Sequence, residues 1–199
     1  MNKDIETSVH NLICRYHTRD PLKVLQYMKA NVFYKDCYGL LKGFSAICMR
    51  SYYVMISSKL TNEEQRVVAA HELGHIILHK ETLSKHYFRE YDLYNNISLE
   101  EREANAFAAE LLLDDADILD AISSTGDYPP DVYSIACSQN VPPELLIIKL
   151  NAMNGRGYTF NNMDAPDSRF LGRIQTYAEK VNELNNTDTC ESCDSYYNL

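Results

Sequence analysis

Thr61-Asn62-Glu63-Glu64-Gln65-Arg66-Val67-Val68-Ala69-Ala70-His71-Glu72-Leu73-Gly74-His75-Ile76-Ile77-Leu78-His79 is the stretch on which the fold turns. Thr61 with Glu64 three residues later has the capping-box spacing, which predicts a helix from there to about His79. On a wheel of 100° per residue, Val68, His71, His75 and Leu78 share one side while Ala69, Leu73 and Ile76 lie almost opposite. A helix apolar nearly all round belongs at the centre of a core. Gly74 in mid-helix costs about 1 kcal/mol relative to Ala, so another backbone is expected to pack closely against it.

His71-Glu72-Leu73-Gly74-His75 is an H-E-x-x-H sequence. Its two histidines, four residues apart on a helix, project side by side and suit one zinc ion. A catalytic zinc takes three protein ligands and leaves its fourth position to water, whose pKa falls to about 7. Glu72 points away from the histidines and can accept that water's proton without being a ligand, so amide hydrolysis is the expected reaction. Two histidines and a glutamate on a buried helix would be costly without such a partner. His79 lies roughly 6 Å beyond His75 along the helix, too far to complete the set. Glutamates on the helix after Ser98 are the natural source of a third ligand. Glu103, beside the stripe of Ala104, Phe107, Ala108 and Leu111, has a small advantage there over Glu100 and Glu110.

Outward from this helix, the chain reads as α+β. Helices are expected over Ile5 to Tyr16 and, launched by Asp20-Pro21, through Lys29. Residues 38–57 contain two β-prone runs, expected as a hairpin or a small antiparallel sheet, and the strand from Tyr52 to Ser57 could offer an edge to an extended peptide. Residues 80–97 form a Tyr-rich polar connection. Ser98-Leu99-Glu100-Glu101 then repeats the capping-box signature and opens a helix to about Leu113. Further helices are expected around 116–123, 131–138, 143–153 and 168–184, separated by Pro129-Pro130, Pro142-Pro143 and Gly155-Arg156-Gly157. The resulting division is a catalytic core over 1–120, a helical extension packed on it over 121–155, and a C-terminal helix with a disordered tail over 156–199.

A net charge of -9 and a pI near 5.1 oppose a phosphate-binding surface, so no direct nucleic-acid partner is expected. The helical segment 131–152 has one basic residue, Lys149, and an acid at the start of its second helix, which is the wrong chemistry for a major groove. The charged N-terminus and the short apolar runs point to a cytoplasmic protein without membrane contact. The six cysteines are expected to be thiols, and Cys190-Glu191-Ser192-Cys193 lacks the second pair that a structural zinc site would require. Tyr52, Tyr53, Tyr87, Tyr91 and Tyr133 are candidate donors to a tetrahedral oxyanion.

Ala70-His71-Glu72-Leu73-Gly74-His75-Ile76-Ile77-Leu78-His79, followed by Glu103-Ala104-Asn105-Ala106-Phe107-Ala108-Ala109-Glu110-Leu111-Leu112, resembles the ImmA/IrrE metallopeptidases of bacteria and their mobile elements. Thr18-Arg19-Asp20-Pro21, Gly43-Phe44 and Tyr52 to Ser57 resemble the phage- and transposon-encoded branch, and the likeness covers about residues 10–120. It implies a thermolysin-like (zincin) core of a small antiparallel sheet and a helix pair. It also implies zinc held by His71, His75 and Glu103, with Glu72 as catalytic base. The implied partner is a helix-turn-helix transcriptional repressor, cleaved at one site. A zinc-containing module that sequesters the repressor and a general cytosolic peptidase are the rival readings. Where many relatives place a proline after the leucines, this chain has Leu113-Asp114-Asp115.

Overall fold

A computed structural model describes residues 3–36, 42–85, 99–124 and 132–160. Its elements are α1 (Lys3–Tyr16), α2 (Pro21–Tyr27), β1 (Asn31–Lys35), β2 (Gly43–Cys48), β3 (Ser51–Ser57), α3 (Asn62–Leu78), α4 (Lys80–Lys85), α5 (Leu99–Leu112), α6 (Asp115–Ser123), α7 (Val132–Ser138) and α8 (Pro143–Asn154). The architecture is α+β, rich in helix, with one small sheet. The expected helix at 168–184, the disordered tail and Cys190-Cys193 lie outside the described residues. No helix among the described residues is long and apolar enough to cross a membrane.

Local chemistry sets the helix starts. Asp20 accepts from the backbone N–H groups of Leu22 and Lys23, with Pro21 in the first turn of α2. Thr61 and Glu64 form the full reciprocal capping box of α3, and Asp114 caps α6 through the Ala116 N–H.

The sheet departs from the expected antiparallel arrangement. β2 and β3 do form an antiparallel hairpin, but β3 also pairs in parallel with β1, giving the mixed order β1-β3-β2. The sequence reading ended the second helix at Lys29 and saw no strand after it. In the structure the turn at Lys29, in the left-handed region at φ 57°, redirects the chain into β1. The strand from Tyr52 to Ser57 is therefore central, with both of its edges hydrogen-bonded, and cannot offer an edge to a peptide.

Helix α3 is the axis of the core. Every residue from Val67 to Ile76 is buried, with β2 and β3 packed on one side and α5 on another. Each fully buried Leu, Ile or Phe here contributes roughly 1.5–3 kcal/mol. The expected close approach at Gly74 is present: a Cβ on Gly74 would lie 3.1 Å from Ala104 Cα and 3.2 Å from Phe107 Cβ. One hydrophobic cluster runs from Ile5 on α1 through α3 and α5 to Leu145, Leu150 and Met153 on α8.

Candidate metal centre

His71 and His75 lie on the buried face of α3, 4% and 7% exposed. Their Nε2 atoms are 3.0 Å apart and their rings meet edge to face. On the other side of the imidazole, His71 Nδ1–H donates to Asn105 Oδ1 of α5 at 2.8 Å. That bond holds the ring in orientation and turns Nε2 toward His75 and Glu101.

The carboxylate that closes the group is Glu101. Its Oε2 lies 3.3 Å from His71 Nε2 and its Oε1 3.3 Å from His75 Nε2. One ligand atom from each of the three residues falls within 4.8 Å of the other two, so the cluster can hold a metal ion. Burial alone would raise the pKa of Glu101, but hydrogen bonds and charge from the two histidines outweigh it and hold the carboxyl far below its ordinary value. It is an ionised donor at any pH near neutrality.

Glu103, the third ligand that the resemblance implied, is not at this place. Its Oε2 lies 3.7 Å from His79 Nε2, one helical turn beyond the pair. The reason is rotational. Two residues on a helix are separated by about 200° around the axis, so when Glu101 faces the histidines Glu103 cannot. Glu100 is engaged as well, its carboxylate accepting from Thr82 Oγ1 at 3.1 Å and its backbone oxygen from His79 Nε2 at 3.2 Å. Glu110 is far along α5, in an ion pair with Lys149. A usable signal for Glu101 was present in the sequence: Glu101, Ala104, Asn105 and Ala108 form an i, i+3, i+4, i+7 stripe.

Glu72 occupies the next position on α3 and is 2% exposed. Burial raises its pKa to about 7, opposed by the charge of His75 and by a hydrogen bond from Ser45 of β2. Its Oε2 is a buried oxygen with no hydrogen-bond partner among the described residues. Such an atom is costly unless it has work to do. Gly43 makes room for it. A Cβ there would fall 2.4 Å from Val68 Cγ1 and 2.8 Å from Glu72 Oε1, so only glycine lets β2 lie this close to α3.

Among the oxyanion candidates, Tyr52 packs with Lys80, Tyr53 stacks on Phe33, and Tyr133 is exposed on α7. Tyr87 and Tyr91 lie outside the described residues. Glu101 and Asn105 are the contributors that sequence reasoning did not single out.

Two comparisons bear on this arrangement. The peptidase family M78 model, described as the IrrE N-terminal-like domain, matches residues 24–151. The chain belongs to this peptidase family. A relative 32% identical over 145 residues, which cover 73% of this chain and 88% of that protein, is an uncharacterized immunity region protein 2 of Bacillus phage phi105. The ImmA/IrrE resemblance read from α3 and α5 thus holds, over residues 24–151.

Proposed function

We propose that the protein is a zinc metallo-endopeptidase that cleaves a helix-turn-helix repressor of a phage or mobile element, acting as an anti-repressor in the cytoplasm. The observation that carries the reading is the convergence of His71, His75 and Glu101 on one point, with the unpartnered carboxylate oxygen of Glu72 buried beside them. The donor set fits zinc: two imidazole nitrogens and one carboxylate oxygen, with nitrogens 3.0 Å apart, close enough to share an ion that each binds at about 2.0–2.2 Å. Glu101 takes the ligand role in place of Glu103.

Zinc held there would supply Lewis acidity toward a carbonyl oxygen and acidify a water. The chain's own residues do the rest. Asn105 holds the His71 ring in orientation through Nδ1. Glu72 accepts the proton of the attacking water at its carboxylate and returns it to the departing amine nitrogen. A group whose pKa lies near 7 is suited to both transfers.

The packing of α3 and α5 under an edge strand, β2, supports a thermolysin-like core over residues 1–120, with 121–155 packed on it. Membership of a peptidase family and a relative from a phage immunity region support the choice of substrate. So does the charge of -9, which complements a partner basic enough to hold DNA.

Co-expression with a candidate helix-turn-helix repressor of the same element tests the proposal. Wild-type protein should convert it to discrete fragments, and Glu72→Gln should retain metal while losing about 10²- to 10⁴-fold in kcat. An intact repressor that nevertheless leaves its operator would favour sequestration. Equally fast degradation of unrelated proteins would favour a general peptidase.

A further inference from the structure

A groove of about 590 Å³ runs between α1, α2 and the C-terminal end of α3. It adjoins a second of about 580 Å³, and the two share Arg15, Tyr16 and Tyr27. Among the described residues no Asp or Glu lines either one, in a chain whose net charge is -9. Its floor is apolar, formed by Leu12, Met28, Ile76 and Ile77, and Arg15, Lys29 and Lys80 stand in its walls. Arg19, Lys59, Lys149 and Arg156 each have a carboxylate partner. Arg15, Lys29 and Lys80 have none among the described residues, so their field is uncompensated locally.

This chemistry selects an acidic peptide with some apolar side chains. A nucleic acid would need open ring faces on which its bases could stack. Here the rings are already engaged on at least one face: Tyr16 and Tyr27 stack on each other at 6.0 Å, the Arg15 guanidinium lies 5.4 Å over Tyr16, and the Lys80 ammonium lies 5.8 Å over Tyr52.

We propose that the groove is the docking site of the chain's own segment 181–199. That segment carries Glu183, Asp188, Glu191 and Asp194 with no Lys, Arg or His, and has Val181, Leu184 and Leu199 for an apolar floor. The path of the chain allows it. Arg156 bonds Glu6 at 3.0 Å, so the described chain leaves beside α1, the helix that carries Arg15. Arg15 lies nine residues beyond Glu6, about 14 Å along the helix. The twenty residues 161–180 could span up to about 66 Å if extended, far more than is required. Tethering raises the local concentration of the acidic segment to the order of millimolar, so weak individual charge contacts suffice.

The test uses the full chain. A zero-length carbodiimide, which couples a carboxylate to an amine in contact with it, should join Lys29 or Lys80 to acids of 181–199, and high salt should suppress the products. Amide exchange across 181–199 should accelerate on the order of tenfold in Arg15→Glu/Lys80→Glu. If that variant misfolds, Glu183→Gln/Asp188→Asn/Glu191→Gln/Asp194→Asn changes none of the described residues and should show the same acceleration. Absence of these cross-links, or equal exchange rates in wild type and variants, overturns the proposal. So does loss of the cross-links to micromolar oligothymidylate at about 0.15 M salt, which would assign the groove to nucleic acid. Neither readout involves the metal centre.

Discussion

Helix α5 carries a buried charge cluster toward each end, and the two are resolved in opposite ways. Toward its C-terminus, Glu110 accepts from Lys149 Nζ at 2.8 Å and from Arg156 at 3.3 Å, and Asp115 meets the same two cations at 2.7 and 2.8 Å. Arg19 adds bonds to the Glu110 and Leu111 carbonyls and an ion pair to Asp114. Toward the N-terminus, Glu101 meets two imidazoles, and Glu72 beside them has an oxygen with no hydrogen-bond partner among the described residues. The first cluster brings its own cations and pairs its charges within the chain, though the Arg156 Nε–H has no hydrogen-bond partner among the described residues. The second gathers possible ligand atoms from three residues, with no Lys or Arg paired to them among the described residues. A buried charge network closed on itself is structural, whereas one made of converging donors is built for something that arrives from outside.

That contrast can be broken first at the closed cluster. Lys149 is 1% exposed, and Lys149→Ala should leave two buried acids, Glu110 and Asp115, to share Arg156, at a cost of about 3 kcal/mol, the low end for breaking a buried pair. Thermal unfolding would show it. The double variant Glu110→Leu/Lys149→Leu should recover much of the loss, since removing both charges is cheaper than removing one. Metal content should not change in either. If Lys149→Ala instead releases metal, the two ends of α5 are not separate devices.

The open cluster predicts the opposite pattern. Zinc at 1,000 times its Kd should stabilise wild-type protein by about 4.1 kcal/mol, seen as a rise in Tm that a chelator reverses. Glu101→Ala should abolish that rise and Glu103→Ala should keep it. The reverse result would restore Glu103 as the ligand.

Smaller effects sharpen the comparison. Asn105→Ala leaves all three donor residues in place but frees the His71 ring, so metal affinity should fall about 10- to 100-fold by titration. Asp114 closes the list. Hydrogen bonding from the Ala116 N–H, and then the charge of Arg19, depress its pKa against the opposing effect of burial. A depressed acid contributes stability that is present above its ordinary pKa, near 3.8, and is lost as pH falls through the lower folded value. Asp114→Asn should therefore flatten the decline in stability on acidification below about pH 4, with little change in stability itself at neutral pH beyond loss of the Arg19 pair.

Much of this was legible in one dimension. The capping box at Thr61 placed the start of α3, its all-round apolarity placed it at the centre, and Gly74 announced the approach of α5. His71, Glu72 and His75 were readable because their geometry is local: four residues of helix fix where two imidazoles point. β1 was not readable, because a five-residue strand with an exposed, mixed pattern gains its identity from pairing with Tyr53 to Ser57, more than twenty residues away.

The sequence by itself determined the two histidines, the glutamate between them and the central helix that carries them, since each depends on spacing within a few turns. Only the tertiary structure decided which acid joins them. Glu100, Glu101, Glu103 and Glu110 all sit on one helix, and the choice depends on how α5 is rotated against α3. That rotation is set where Ala104 and Phe107 press on Gly74, turning Glu101 and Asn105 toward the histidines and leaving Glu110 to the cations of α8 and Arg156. Periodicity names a face of a helix, but contacts made far away in the chain determine what that face meets.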